Sequence, residues 1–111
     1  MSNPNGRKGS SGEIGARDYL RERGFTVERI PSEGSRDRGD LKVFELPDDT
    51  IEVKNTKTID LAGSLDEARK ESLNAGTKYY CVIHKRRNHQ PAKWYVTLPL
   101  ELWVDRLLEE K

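Results

Sequence analysis

The sequence predicts a single α/β domain in which a mixed β-sheet of about five strands is flanked by helices. The 111 residues suit one domain. Segments with helical spacing of apolar residues alternate along the chain with short runs of strand length. One of these runs is continuously apolar, which is typical of a strand covered on both faces. The predicted order of elements is α-β-β-β-α-β-β-α.

The N-terminal half is predicted to contain one helix and three strands. Residues 1–11 combine serine, asparagine and glycine with two basic residues and indicate a flexible basic arm, so that 12–111 forms the folded domain. Ser10, with Glu13 three residues later, matches a capping box, which begins a helix that ends near Arg23 before Gly24. Three segments have the composition of strands, and the last two form an antiparallel hairpin: 25–30, 41–46 and 51–55.

The C-terminal half is predicted to contain two helices and two strands. The first helix covers 61–75 and stops at Gly76, with apolar positions at Leu61, Leu65, Ala68 and Leu73. The run 79–83 is predicted as a central strand, in which Cys81 is an inert core thiol. A basic loop (84–93) and a strand (94–98) follow, and Pro99 opens the last helix. That helix places apolar residues at helical spacing: Leu100, Trp103, Val104, Leu107 and Leu108.

The composition excludes several classes of protein. No run approaches the roughly 20 apolar residues of a membrane span, and the first residues lack the apolar core of a secretory signal, so we expect a cytoplasmic, non-membrane protein. A single cysteine excludes an intramolecular disulfide and a multi-cysteine zinc site. The net charge is only +1, but basic residues cluster locally. Such clusters are either a solvated surface or a contact surface for a polyanion.

The most informative residues are Glu52 and Lys54. On a strand they share one face, while Ile51 and Val53 point to the other, into the core. A carboxylate beside an ammonium on a buried strand is costly, unless the carboxylate binds a metal and the lysine assists an oxyanion or positions a water. The alternative is an exposed ion pair on a one-sided sheet, which contributes little. The triplet acid-x-Lys occurs three times, but only this one is flanked by β-branched residues in the second arm of the hairpin, with an acid at the start of the first arm.

Asp40 begins the first strand of the hairpin, and the register decides whether it joins Glu52. A loop with an odd number of residues puts Asp40 on the face of Glu52. An even loop puts it on the other face, because a slip of one residue inverts every side chain. With an even loop, a bulge near Gly39 would return Asp40 to the face of Glu52. The sequence leaves both registers open.

The expected ligand of these carboxylates is Mg²⁺, with Mn²⁺ as a substitute. Hard divalent ions take carboxylate and carbonyl oxygens, which Asp40, Glu52, Glu13 and the main chain of Val53 can offer. Such a metal activates water and neutralises phosphodiester oxygens. Nucleic acid is then the substrate, and no small-molecule cofactor is expected. Glu13 keeps a second interpretation, in which it only caps the helix.

Four other side chains have simpler interpretations. His84 and His89 match no common metal spacing and are expected to contact phosphate or solvent. Trp94 and Trp103 are predicted to pack in the core. These residues therefore add no second candidate site.

The acid-bearing helix followed by Asp40 and by Glu52-Val53-Lys54 resembles the PD-(D/E)xK nuclease superfamily, most closely the small archaeal and phage-type Holliday junction resolvases. The resemblance covers 8–57, although Gly39 stands where the name-giving proline usually lies. It implies a restriction-endonuclease-like fold and makes 12–111 a single nuclease domain. It further implies that Glu13, Asp40 and Glu52 are metal ligands, that Lys54 is the catalytic lysine, and that a loop serine approaches the scissile phosphate, either Ser32 or Ser35.

The resemblance implies a Mg²⁺-dependent, structure-specific endodeoxyribonuclease that resolves four-way DNA junctions in the cytoplasm, or in the host cytoplasm if the protein is viral. Two symmetric cuts call for a homodimer, formed through the sheet edge or the last helix, 100–108. The alternatives are another repair or restriction nuclease of the superfamily and a non-catalytic DNA-binding module. The residues expected to contact branched DNA are basic: Arg7, Lys8, Arg29, Arg36, Arg38, Lys57, Lys85, Arg86, Arg87 and Lys93.

Overall fold

A computed structural model describes the chain from residue 4 to residue 111, with side chains from Ser10 onward. The described residues form an α/β fold with a five-stranded mixed sheet and helices in the predicted order, which confirms the fold class. None of the described helices is long and apolar enough to cross a membrane. The helices and strands are α1 (Pro4–Glu22), β1 (Val27–Arg29), β2 (Leu41–Val43), β3 (Asp49–Lys54), α2 (Leu61–Ala75), β4 (Tyr79–His84), β5 (Tyr95–Thr97) and α3 (Leu100–Glu109).

The strands lie side by side in chain order, from β1 to β5. The pair β3–β4 is parallel and is connected by α2, while the other three pairs are antiparallel. Helix α1 contacts β1 and β3, and α2 contacts β3 and β4. The main core cluster has these buried members: Ala16, Val27, Leu41, Val43, Ile51 and Val53. Because Ile51 and Val53 belong to this cluster, Glu52 and Lys54 project toward the opposite face of β3.

Helix α2 has the predicted bounds, and local chemistry explains both ends. The side chain of Asp60 accepts a hydrogen bond from the backbone N–H of Gly63 at 2.9 Å, which caps the first turn. Gly76 adopts the left-handed conformation, with φ of 72°, and closes the last turn. The end points of this helix could therefore be predicted from Asp60 and Gly76 alone.

Helix α1 begins earlier than the sequence predicts. It runs from Pro4, so the predicted start at the Ser10 capping box is wrong, and the segment interpreted as an arm is helical from Pro4 onward. The hydroxyl of Ser10 accepts a hydrogen bond from the Arg29 guanidinium at 3.2 Å instead of capping the helix. Residues 1–3 and the side chains of Arg7 and Lys8 lie outside the described part of the chain.

The two tryptophans differ in their burial. Trp94 packs against the core cluster, as predicted, and its indole N–H donates to the carbonyl of His89 at 3.0 Å. The prediction for Trp103 is wrong, because 52% of it is exposed on α3. Helix α3 buries Leu102 and contacts the rest of the protein through hydrogen bonds from Arg106 to Asp49 and from Lys78 and Tyr79 to Glu109. These polar contacts leave most of the apolar face of α3 open.

Candidate functional site

The register of the hairpin brings Asp40 to Glu52. Leu41 pairs with Ile51, and continuing this register places Asp40 opposite Glu52. The loop between β2 and β3 covers 44–48, an odd number of residues, so the odd alternative is the one that forms. The backbone N–H of Asp40 donates to the Ile51 carbonyl at 2.8 Å, and its Oδ2 accepts from the backbone N–H of Val53 at 2.8 Å. The main chain and the side chain of Asp40 are therefore both fixed to β3 by hydrogen bonds.

Gly39 sets the backbone that leads into Asp40. Its φ is +99°, which proline, with φ near −65°, cannot adopt. A Cβ on this residue would lie 3.0 Å from Cγ2 of Thr50 and 3.1 Å from the carbonyl oxygen of Ile51. Conformation and space therefore both require glycine here.

Glu52 and Asp40 are both held in their neutral forms by their surroundings. Burial raises the pKa of Glu52 to about 9, and the hydrogen bond and charge of Glu71 add to this. Burial also raises the pKa of Asp40 to about 8, with the charges of Glu52 and Glu13 acting in the same direction. Oε2 of Glu52 is buried without a hydrogen-bond partner among the described residues. An unsatisfied buried carboxylate oxygen of this kind fits a cation, which would satisfy it and favour the ionised form.

Lys54 stands beside these carboxylates as a cation. Its Nζ lies 3.4 Å from Oε1 of Glu52 and 2.6 Å from Oε2 of Glu67 on α2. Burial lowers the pKa of Lys54, but the hydrogen bond and charges of the two glutamates outweigh burial, so its pKa is raised. The exposed-pair interpretation of Glu52 and Lys54 is wrong for Glu52, which is only 5% exposed.

Two glutamates of α2 belong to the site, although the sequence analysis did not include them. One carboxylate oxygen each from Glu52, Glu67 and Glu71 lies within 4.8 Å of the others. Glu71 is buried, and its Oε2 has no hydrogen-bond partner among the described residues. Its pKa is raised, chiefly by burial. The spacing of Glu67 and Glu71, four residues apart on one helix, is the signal that could have found them.

Glu13 reaches the site from α1. It lies well inside the helix, so the capping interpretation is wrong. Its Oε1 accepts from Nε of Arg29 at 3.1 Å, and its charge contributes to the raised pKa of Asp40. Glu13, Arg29, Ser32 and Asp40 line an open cavity of about 450 Å³. This cavity is the entrance to the Asp40 side of the site.

The two loop serines lie in different cavities. Ser32 lines the cavity of Glu13 and Asp40. Ser35 lines a smaller one, of about 130 Å³, together with Glu67 and Glu71. The side-chain amide of Asn74 on α2 donates to the carbonyls of Ser35 and Asp37, at 3.0 Å and 2.9 Å, and so fixes this loop to the helix.

The basic loop begins directly beside Lys54. The backbone N–H of Lys85 donates to the Lys54 carbonyl at 2.8 Å, and Lys85 and Arg87 line an open cavity of about 620 Å³. Nζ of Lys85 donates to the hydroxyl of Ser11 at 3.0 Å. The other predicted DNA-contact residues with described side chains lie on the surface. Two of them form ion pairs with acids, Arg29 with Glu13 and Arg38 with Glu33. The others are Arg36, Lys57, Arg86 and Lys93.

His84 is buried, so the prediction that it contacts phosphate or solvent is wrong. It pairs in register with Lys54, and its Nε2 lies 2.8 Å from the hydroxyl of Thr97. Burial and then the charge of Lys54 lower its pKa, which favours the neutral form of the ring. Cys81 is also enclosed, and burial raises the pKa of its thiol to about 12, as fits an inert core thiol.

Comparison with known proteins adds no relative. No family model matches the sequence, and searches of curated proteins and of solved structures give no significant match. The geometry of the described residues therefore carries the functional argument. Four buried or half-buried carboxyl groups, those of Glu13, Asp40, Glu52 and Glu71, lie close to the charged Lys54 and to the basic loop. This arrangement suits cation binding next to a polyanion.

Proposed function

We propose that this protein is a Mg²⁺-dependent endodeoxyribonuclease that cuts four-way DNA junctions. The observation that carries the proposal is the placement of Asp40 opposite Glu52 with Lys54 beside them. A buried pair of carboxylates is costly without a counter-charge, and the orphaned Oε2 of Glu52 fits a metal ligand. The resemblance to the small resolvases, which is carried by these same residues, supports the choice of substrate.

The residues of this chain divide the chemistry among themselves. Asp40 and Glu52, with Glu13 and the Val53 carbonyl, are the proposed ligands of Mg²⁺. When bound, this ion acts as a Lewis acid toward a water molecule and toward the phosphate oxygens. Lys54 carries the charge that stabilises negative charge developing on the phosphate during hydrolysis. Ser32 is the loop serine that we assign to the scissile phosphate, because it shares the cavity of Asp40.

The basic loop is proposed to bind the DNA backbone. Lys85 and Arg87 line an open cavity next to the end of β3, where a phosphate can approach without displacing protein atoms. Contacts of this kind position the DNA and carry no sequence information. We therefore expect binding to depend strongly on salt and weakly on sequence.

Two symmetric cuts need two copies of the site, so the proposed active form is a two-fold homodimer. Helix α3 offers a surface for it, because apolar side chains stand open along the helix: Leu100, Trp103, Val104, Leu107 and Leu108. Sedimentation at micromolar concentration tests this part. A monomer that cuts DNA would favour a nicking or repair nuclease over a resolvase.

The proposed function is tested by cleavage of a labelled four-way junction in Mg²⁺, with linear duplex alongside. Wild type is expected to make paired cuts in the junction alone, and Glu52→Gln is expected to make none. Glu28→Gln on β1 is the matched control, because Glu28 is an exposed strand glutamate. Cutting of both substrates would support the nuclease activity but contradict the specificity for junctions. Binding without cutting by wild type would favour the non-catalytic module.

A further inference from the structure

Helix α2 buries polar side chains where an amphipathic helix normally buries leucine. Its buried residues are Ser64, Ala68, Glu71 and Ser72. Leu61 and Leu73, by contrast, are 50% and 70% exposed. Burying a glutamate at the centre of a helix–sheet contact is unfavourable unless its charge is compensated. The face of α2 toward the sheet is therefore built around a polar centre rather than an apolar one.

Glu71 is compensated only in part, by a hydrogen bond that its carboxyl shares with Glu52. It is 94% buried and its Oε2 has no hydrogen-bond partner among the described residues. Glu52, which faces it across the helix–sheet contact, is 95% buried and also has an unpartnered Oε2. Lys54 bonds Glu67 and Oε1 of Glu52, so the ion pairs of the lysine leave both of these oxygens unsatisfied.

Glu67 completes a set of three oxygens. One oxygen from each of Glu52, Glu67 and Glu71 lies within 4.8 Å of the other two, a separation that one ion with oxygen ligands can bridge after small side-chain adjustments. Glu67 and Glu71 also line the cavity of about 130 Å³ that contains Ser35. A Mg²⁺ or Mn²⁺ ion keeps several water ligands, and this cavity gives them room.

We propose that Glu52, Glu67 and Glu71 form a second divalent-cation site, on the α2 side of Glu52. The first proposed site uses Asp40 and Glu13, and Glu52 is the ligand that both sites share. The inference rests on the proposed function only through this shared residue. In the second site the cation takes the place of Lys54 as the partner of Glu67, which leaves the lysine available to a phosphate.

The test counts bound Mn²⁺ by the loss of the free-ion signal in electron paramagnetic resonance. Wild type is expected to bind two Mn²⁺ per chain. Glu71→Gln and Asp40→Asn are each expected to bind one, and Glu52→Gln is expected to lose both tight sites. Glu67→Gln, at an exposed residue, is expected to weaken the second site about tenfold without removing it. Thermal unfolding without cation shows that each variant is folded, and Glu28→Gln is the control that keeps two ions.

Separate outcomes overturn the inference and the proposed function. One Mn²⁺ per wild-type chain, lost in Asp40→Asn and retained in Glu71→Gln, would overturn the second site and leave the proposed nuclease standing. Two Mn²⁺ ions with the expected losses, but no cleavage of any DNA, would support the second site and overturn the nuclease. No bound Mn²⁺ in wild type would overturn both. If Glu71→Gln does not fold, unchanged affinities in Glu67→Gln would still overturn the second site.

Discussion

The buried carboxyl of Glu52 is expected to make the cation-free protein less stable as the pH rises. Its pKa is raised from 4.5 to about 9, first by burial and then by Glu71. Below pH 4.5 the folded and the unfolded chain both carry this proton, so the carboxyl gives the free energy of unfolding no pH dependence there. Between about pH 4.5 and 9 the folded chain keeps a proton that the unfolded chain has released. The free energy of unfolding therefore falls with pH through this window.

The magnitude follows from the linkage of one proton to folding. A difference of one proton changes the free energy of unfolding by about 1.4 kcal/mol for each pH unit. From pH 5 to pH 8 a fully retained proton gives about 4 kcal/mol, and relaxation around the site reduces this to about 2 to 4 kcal/mol. Glu52 is only 5% exposed, so solvent screening does not reduce the figure further.

The assay is urea unfolding, followed by circular dichroism at pH 5 and pH 8 in the presence of a chelator. The wild type is expected to lose about 2 to 4 kcal/mol more than Glu52→Gln over this interval, because glutamine takes up no proton. His84 acts in the opposite direction below its ordinary pKa, since its pKa is lowered, but it is present in both proteins and cancels. Glu28→Gln is expected to follow the wild type. Parallel pH profiles for wild type and Glu52→Gln would refute the reasoning.

Three further predictions concern the lysine, the glycine and the basic loop. Lys54→Ala is expected to reduce the cleavage rate by at least about 100-fold while Mn²⁺ binding persists, because the lost charge acts on the phosphate; Lys42→Ala, at an exposed lysine of β2, is its control. Gly39→Ala is expected to lower the free energy of unfolding by about 2 to 4 kcal/mol and to weaken Mn²⁺ binding, because its φ and the nearby Ile51 carbonyl oppose a Cβ. Replacing Arg86 and Arg87 together by alanine is expected to weaken DNA binding, lower the salt slope by about two and leave the cut sites unchanged.

Each of these predictions has a contrary result. Equal cleavage rates for Lys54→Ala and Lys42→Ala would show that Lys54 takes no part in the hydrolysis. A Gly39→Ala protein as stable as wild type in urea would show that the hairpin entry has another conformation. An unchanged salt dependence, measured by fluorescence anisotropy of labelled DNA, would show that the Arg86 and Arg87 side chains do not contact phosphate.

The elements that follow from local chemistry could be predicted from the sequence. Asp60 and Gly76 define the ends of α2, and the apolar run of β4 defines an interior strand, between β3 and β5. The meeting of Asp40 with Glu52 could be predicted only as one of two registers. The choice between them depends on the length of a loop whose strands end at Val43 and begin at Asp49, and no single residue specifies that length.

The errors arise where tertiary contacts override a local pattern. Ser10 has the spacing of a cap, but the partner of its hydroxyl is Arg29, which is distant in sequence. Helix α2 was expected to bury its leucines, yet it buries Glu71 because Glu52 and Lys54 stand on the facing strand. A pattern of helical spacing cannot indicate this, since it treats every buried position as apolar.

The contrast between Trp94 and Trp103 gives the protein two independent fluorescent reporters. Trp94 is shielded by α1 and lies 5.7 Å from the ammonium of Lys85 in the basic loop. Trp103 is half exposed on the apolar face of α3. A polyanion that draws Lys85 away from the indole should change the emission of Trp94, whereas covering α3 should protect Trp103 from a soluble quencher. The Trp103→Phe protein would then report the proposed DNA docking through Trp94, and the Trp94→Phe protein would report the proposed subunit association through Trp103.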